Sequence, residues 1–297
     1  MVDVNQRRGA EESLARTALV TGGAKGIGRA ISEKLAAAGW QLWLCGRDQR
    51  ALDQAASEIG ERHSVEVRTT VVDLSQEGGA QKVLAPFEHA RDLPLVMVCG
   101  AADYGVLGPL QDVDFGAWKR SFDLNFFSFV ELVHRYLRLA GAGPHSPRRR
   151  IVIIGGAGLG AAQVSGAISA HSCAKSALNR LVEVVHEEVH SCGIDINCVL
   201  PGFVNTGMGD QAIAAGPVLG RLYEASIKAK AGVGDTPAEI PGEFIARLVS
   251  DECAGISGRL FSAKWDQNKL SGPESWSADR DLFRLRRIDN DLFGKLK

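Results

Sequence analysis

The first residues suited to chemistry are the glycines of Thr21-Gly22-Gly23-Ala24-Lys25-Gly26-Ile27-Gly28. They follow the apolar run 18–20 and open a helix-like stretch. Glycines at such a junction let the backbone turn tightly and approach a ligand closely. The helix N-terminus behind them offers unpaired N–H groups and the positive end of the helix dipole, a combination that suits a diphosphate. The next apolar run ends Leu44-Cys45-Gly46-Arg47. In dinucleotide sites an acid near this strand end holds a ribose 2′-hydroxyl, whereas an Arg accommodates a 2′-phosphate. Arg47, with Lys25 in the loop, therefore favours NADP(H) over NAD(H), because a phosphate dianion needs cations. Asp73, after Val71-Val72, has two readings: acceptor for an adenine amino group, or strand-end turn.

A second constellation is His186-Glu187-Glu188-Val189-His190, which spells HExxH. Two His at i and i+4 share a helix face and can hold zinc, with Glu187 as base. The same helix, however, has a 3.6-period apolar face made by Ala174, Leu178, Leu181, Val182, Val185 and Val189. No downstream His or Glu stands out as a third ligand, so the expectation is a core helix without metal; a zinc hydrolase is the remote alternative.

These residues must be positioned by alternating elements. Runs 18–20, 41–45, 65–72, 95–99, 151–154, 194–200 and 259–262 read as strands. Runs 31–38, 51–59, 79–89, 115–139, 172–190 and 237–250 read as helices. Such alternation predicts parallel βαβ units in a doubly wound sheet, a three-layer α/β/α fold. Pro201-Gly202 after an apolar strand makes a turn at a strand carboxyl end, where such folds bind ligands. The boundaries expected are an N-terminal extension 1–16, one domain over 17–263 and a tail 264–297. Residues 141–150 read as a loop, and 207–235, rich in Gly and Ala, as a mobile substrate lid. The tail is expected to pack on the core or on a neighbouring subunit.

At 45% apolar and 23% charged residues, the 297-residue chain has the composition of a soluble globular protein with a substantial core. A net charge of -1 gives no reason to expect nucleic acid or a membrane surface as partner. No run approaches the ~18 apolar residues of a membrane span, and residues 1–16 lack a secretory apolar region. Six cysteines without a CxxC pair fit reduced thiols in a cytoplasm.

From 17 to 262 the chain resembles the short-chain dehydrogenase/reductase family, whose fold is Rossmann-like. The resemblance rests on Thr21-Gly22-x-x-x-Gly26-x-Gly28, Asp73-Leu74, Asn125 in Asp123-Leu124-Asn125, and Ala174-Lys175-Ser176-Ala177-Leu178. It rests further on Asn197-x-x-x-Pro201-Gly202-x-Val204-x-Thr206 and on Gly258-Arg259. It implies that the backbone of Ala24, Lys25, Gly26 and Ile27 binds the diphosphate and that Lys175 binds the nicotinamide ribose. Pro201, Gly202, Val204 and Thr206 would line the nicotinamide. Hydride would pass between the nicotinamide and a carbonyl or secondary alcohol of a small molecule lined by 102–110 and 203–235. The resemblance also implies a homodimer or homotetramer through the helices at 115–139 and 172–190.

The resemblance breaks at the catalytic end. It implies a Tyr four residues before the Lys as acid/base, a Ser for the carbonyl oxygen and an Asn for a water relay. Asn125 and Lys175 match, but the Tyr position holds His171, and Gly155-Gly156-Ala157-Gly158 stands where the Ser is expected. Ser165, Ser169 and Ser172 are nearby hydroxyls, each also readable as an ordinary loop serine. Tyr104, Tyr136 and Tyr223 are distant in sequence, so no phenol is expected beside His171. The fourth strand runs into Val98-Cys99-Gly100-Ala101-Ala102 rather than Asn-Asn-Ala-Gly. Imidazole is the commonest acid/base near neutral pH. It is shorter than a phenol, an offset of ~1 Å can cost ~100-fold, and a neighbouring Lys⁺ disfavours imidazolium. Three roles for His171 stay open: substitute acid/base, substrate-binding residue, or remnant. The alternative to an NADP(H) oxidoreductase is a non-redox enzyme or cofactor-binding regulatory protein on this scaffold.

Overall fold

The computed structural model describes residues 16–88, 93–141, 143–144, 147–156, 165–271 and 282–284. The expected features at 1–15, at Ala157-Gly158, at 142 and 145–146 and over most of the tail lie outside these residues. Seven strands form one parallel sheet in the order β3-β2-β1-β4-β5-β6-β7. They are β1 (Thr17–Thr21), β2 (Gln41–Gly46), β3 (Val67–Val71), β4 (Val96–Cys99), β5 (Arg149–Ile154), β6 (Ile194–Leu200) and β7 (Arg259–Ser262). The helices are α1 (Gly26–Ala37), α2 (Gln49–His63), α3 (Gly79–Leu84), α4 (Phe115–Phe122), α5 (Ser128–Ala140) and α6 (Ser169–Val189). Later come α7 (Gly207–Ala215), α8 (Arg221–Lys230) and α9 (Glu239–Leu248).

Alternation along the strands makes the three layers. Ala18 and Val20 face one side, where Ile31, Leu35, Leu52, Ile59, Phe244 and Ile245 of α1, α2 and α9 close a core cluster. Leu19 faces the other, where Val83, Phe129, Leu132, Tyr136, Leu178 and Val182 of α3, α5 and α6 close a second. Strand order reverses between β1 and β4. That switch point opens the crevice in which doubly wound sheets bind ligands.

Several elements differ from the sequence expectation. The helix expected at 115–139 is interrupted by a π turn, Asp123–Phe127, centred on Asn125. Wide turns of this kind occur often at functional sites. The helix expected from 172 begins at Ser169, and that expected from 31 begins at Gly26 inside the loop. The helix expected over 79–89 ends at Leu84. A short 3-10 turn containing Pro86 follows, because Pro lacks the N–H to continue. The lid region holds α7, the turn Pro217–Leu219 and α8. They pack through Ala212, Leu219 and Leu222 on Tyr104 and Ile168, a third and smaller apolar cluster. Among the described residues, no helix is long and apolar enough to cross a membrane.

Gly28 is the tightest point of the loop. A Cβ there would fall inside the van der Waals sphere of the Gly22 carbonyl oxygen. Gly28→Ala therefore lowers stability by about 3 kcal/mol or more, measured by urea denaturation.

Candidate active site

The loop and the turn after β6 meet across the crevice. Gly22, at φ +71°, lets the loop pass the backbone of Ala101, which a Cβ would approach to 3.1 Å. Thr21 Oγ1 accepts from the N–H groups of Gly100 and Ala101 at 3.0 and 3.2 Å. Ser32 Oγ braces the loop by donating to the Gly23 and Gly28 carbonyls. Gly26, at φ +52°, stands so close to Thr206 that a Cβ would lie 3.0 Å from its methyl. Lys25 is the N-cap of α1, no side chain caps the helix, and its first turn holds no acid. The N–H groups of this turn, beside the partly exposed Ala24 and Ile27, are a fit for a diphosphate. Pro201 and Val204 are buried at the opposite wall. Gly202, at φ +86°, lets the turn pass Thr236.

At the ribose end Arg47 is exposed beyond β2. Lys25 Nζ pairs with Asp48 Oδ2 at 2.5 Å. The hydrogen bond from Lys25 holds the Asp48 carboxyl below its usual range. Asp48 also caps α2, accepting from Ala51 N–H at 3.1 Å. Sequence reading passed over Asp48, although it stands twenty residues after Gly28, the spacing of a ribose-binding acid. Asp73 Oδ1 accepts from Ser75 N–H and Oγ at 2.9 and 2.7 Å, a strand-end turn. Partial burial pushes its carboxyl up, but Ser75 and the Arg47 charge outweigh that and hold it low. Leu74 is buried beside it.

His171 and Lys175 are brought together on one face of α6, and Asn125 reaches the same place from the π turn. Asn125 is buried, donates through Nδ2 to the Ser121 carbonyl at 2.9 Å, and accepts from Asp103 N–H at 3.3 Å. Asp103 in turn accepts through its carbonyl from His171 Nδ1 at 2.8 Å. A carbonyl only accepts, so the proton sits on Nδ1 and the Nε2 lone pair is left bare. That Nε2 faces Gly156, where a Cβ would lie 3.9 Å away. Gly156 is thus the position opposite His171, whereas Gly155 is needed for packing: its Cβ would meet Cys198 Sγ at 2.7 Å. Burial pushes the His171 imidazole down to about 4; the Lys175 charge adds to this, and the Asp103 carbonyl partly opposes it. Lys175 is 1% exposed, donates to the Ile154 carbonyl at 2.9 Å and lies 4.4 Å from the Phe129 ring centroid. Burial brings its ammonium down to about 8, against the pull of Cys198, Cys99 and Asp103.

The expectation that no phenol lies near His171 is corrected. The Tyr104 ring meets the imidazole edge-on, centroids 5.3 Å apart, because the loop after β4 folds back over the start of α6. The adjacent loop position, after β4, was its only sequence signal. Of the three nearby serines, Ser169 accepts from Trp118 Nε1 at 3.0 Å. Ser172 Oγ is buried without a partner.

The HExxH residues sit at the far end of α6. His186 Nδ1 meets Ser257 Oγ at 2.9 Å. His190, past the end of the helix, lies beside Arg148 and Asp195 at 3.2 and 3.4 Å. An Arg cation at the second imidazole works against a metal ion there. Among the described residues, no three His, Cys, Asp or Glu side chains gather as a metal site.

Known proteins share this fold. The chain is 25% identical over 253 residues to a 7beta-hydroxysteroid dehydrogenase of Collinsella aerofaciens, covering 84% of this chain and 88% of the relative. It is 28% identical over 259 residues to an L-2,3-butanediol dehydrogenase of Corynebacterium glutamicum, covering 84% and 96%. Its fold matches that of an L-sorbose reductase from Gluconobacter frateurii, solved with NADPH and L-sorbose, at a TM-score of 0.70 and 21% identity over 84% of this chain and 94% of that one. The Pseudomonas aeruginosa RhlG/NADP complex gives 0.71 and 23% over 83% and 94%. The family model for short chain dehydrogenases matches residues 16–215. With its parallel sheet and its glycine loop at the head of the matched residues, the chain belongs to the short-chain dehydrogenase family.

Proposed function

We propose that the chain is an NADP(H)-dependent dehydrogenase that oxidises a secondary alcohol of a small molecule, with His171 receiving the hydroxyl proton. The observation that carries this is the Nδ1–H bond to the Asp103 carbonyl, which leaves Nε2 as an acceptor facing Gly156. The names of the relatives, dehydrogenases of hydroxysteroids and butanediol, support the reaction class. The NADPH and NADP complexes among the structural neighbours support the cofactor. NADP⁺ supplies the hydride acceptor. The first turn of α1 would hold its diphosphate, Arg47 and Lys25 its 2′-phosphate, Lys175 the nicotinamide ribose, and Pro201, Gly202, Val204 and Thr206 the ring.

The imidazole sets the protonation state in which the site meets its substrate. With a pKa of about 4, His171 is neutral at physiological pH and has no proton on Nε2 to give a carbonyl. As hydride leaves an alcohol carbon, the hydroxyl becomes strongly acidic, so even a weak base takes its proton. Neutral His171 is therefore the form that serves oxidation, and the imidazolium it becomes is the acid for the reverse reduction, present as a small fraction at neutral pH. Tyr104 and Phe203 would form apolar walls under the lid.

Nucleotide titration tests the cofactor assignment. Arg47→Ala weakens NADPH binding by about 10- to 100-fold, the worth of a charge-assisted bond, and leaves NADH binding nearly unchanged. Asp48→Asn, which removes a negative charge beside the 2′-phosphate, tightens NADPH. Equal NADPH and NADH affinities in the parent protein overturn the assignment.

Alcohol oxidation followed by NADPH absorbance tests the chemistry. His171→Ala lowers kcat by about 100-fold or more while NADPH still binds. kcat/KM falls as pH drops through about 4, where Nε2 becomes protonated, and as pH rises through about 8, where Lys175 loses the charge that holds the ribose. Lys175→Arg, permanently charged, moves the alkaline limb out of range. An acid limb near the ordinary His value overturns the neutral, buried His171 as the proton acceptor.

The same reading includes a homodimer or homotetramer in a cytoplasm, where the six free cysteines stay reduced. Phe115 and Phe127 are exposed on an aromatic run with Trp118 and Phe122 along α4 and the π turn. Such a patch marks an association surface. Phe115→Asp/Phe127→Asp halves the mass measured by light scattering; an unchanged mass rejects this surface.

A further inference from the structure

Among the described residues β7 is the last strand of the sheet, with β6 on one side and no strand on the other. An open edge offers unpaired N–H and C=O groups to any passing strand, and proteins blunt it with charge or cover. The opposite edge, β3, carries Arg68, paired with Glu66 at 2.7 Å. β7 carries Leu260 and Phe261 at the corresponding centre and meets the segment 282–284 instead. Leu260 N–H donates to the Phe283 carbonyl at 2.7 Å. The Arg259 guanidinium donates to the Leu282 carbonyl. The Phe283 ring lies 5.2 Å from that of Phe261. Arg284, its side chain 9% exposed, pairs with Glu187 of α6 at 3.2 Å. Phe283 holds φ +58°, a conformation a bulky residue rarely adopts unless its surroundings enforce it. Three consecutive residues are thus fixed to two different elements, by backbone, ring and charge.

We infer that residues 282–284 guard the β7 edge and so prevent two copies of this chain from joining sheet to sheet. The excluded partner is a second copy because an open edge meets its own equivalent about a two-fold axis, which pairs each N–H with a C=O of the same strand. This surface lies apart from the aromatic face of α4, so closing it caps assembly at the stage that the helical face allows. The inference does not depend on any catalytic reading.

The test uses the full chain and the variant Phe283→Asp/Arg284→Glu, with amide exchange and light scattering over a wide concentration range. In the parent, the Leu260 amide is protected. In the variant it exchanges roughly tenfold faster or more at low concentration, and the mass doubles relative to the parent as concentration rises. The Arg150 amide in β5, which donates to the Leu95 carbonyl beside β4 at 2.8 Å, reports whether the sheet itself stays folded. If it is lost, the milder Arg284→Ala, which removes only the ion pair, carries the same two readouts. A Leu260 amide that exchanges freely in the parent overturns the inference. So does a variant that frees this amide yet keeps the parent mass at every concentration.

Discussion

The Thr21 hydroxyl holds together the one place in the sheet where the chain changes direction. β1 and β4 are neighbours whose following segments leave on opposite sides, and the crevice between them exists only while their ends stay in register. Thr21 Oγ1, accepting from both Gly100 and Ala101, fixes that register with a side chain buried in the gap. The glycines then follow as a requirement. Gly22 passes the backbone of Ala101, and Gly28 seats α1 against Gly22, so the helix N-terminus is presented to the crevice rather than to bulk water. Because Gly26 touches Thr206, the position of the loop also sets that of the turn after β6 and, through it, of α7 and α8.

The electrostatics behind the crevice depend on dryness. Lys175 is buried beside thiols, a ring and one carbonyl, surroundings that leave its charge only partly compensated. Its field works on His171, one helical turn away, in the same direction as desolvation. A phenol in place of the imidazole would gain from that field, since its charged form is an anion; an imidazole loses, since its charged form is a cation. One and the same lysine therefore has opposite effects on the two kinds of side chain, and beside it an imidazole is held as a neutral acceptor.

Much of the fold was legible because the strands are short apolar runs that alternate with helical periods, as at 18–20 and 194–200. Element ends were less so. Helix α1 starts at Gly26, whose φ of +52° turns the chain from the loop into the helix, a turn that no hydrophobic period announces. The π turn at Asn125 was invisible because the surrounding sequence keeps its apolar period across it. In the site, Lys175, Asn125 and the loop could be found from spacing. Tyr104 could not: its contact with His171 is made by a loop returning over sixty residues of chain, and nothing local encodes that approach. Asp48 was hidden by its neighbour, since Arg47 answered the same question first.

The burial of His171 argues against a decayed site. A side chain with no remaining role has nothing to hold it in one orientation away from solvent. Here Asn125 fixes the Asp103 backbone, Asp103 fixes the imidazole tautomer, and Tyr104 closes its edge. Every link serves to aim Nε2 at the space over Gly156. A Ser at 156 would bring a hydroxyl toward that nitrogen and occupy its lone pair. The missing Ser and the missing Tyr are therefore one change rather than two. On the function proposed above, glycine at 156 leaves that acceptor for a substrate hydroxyl.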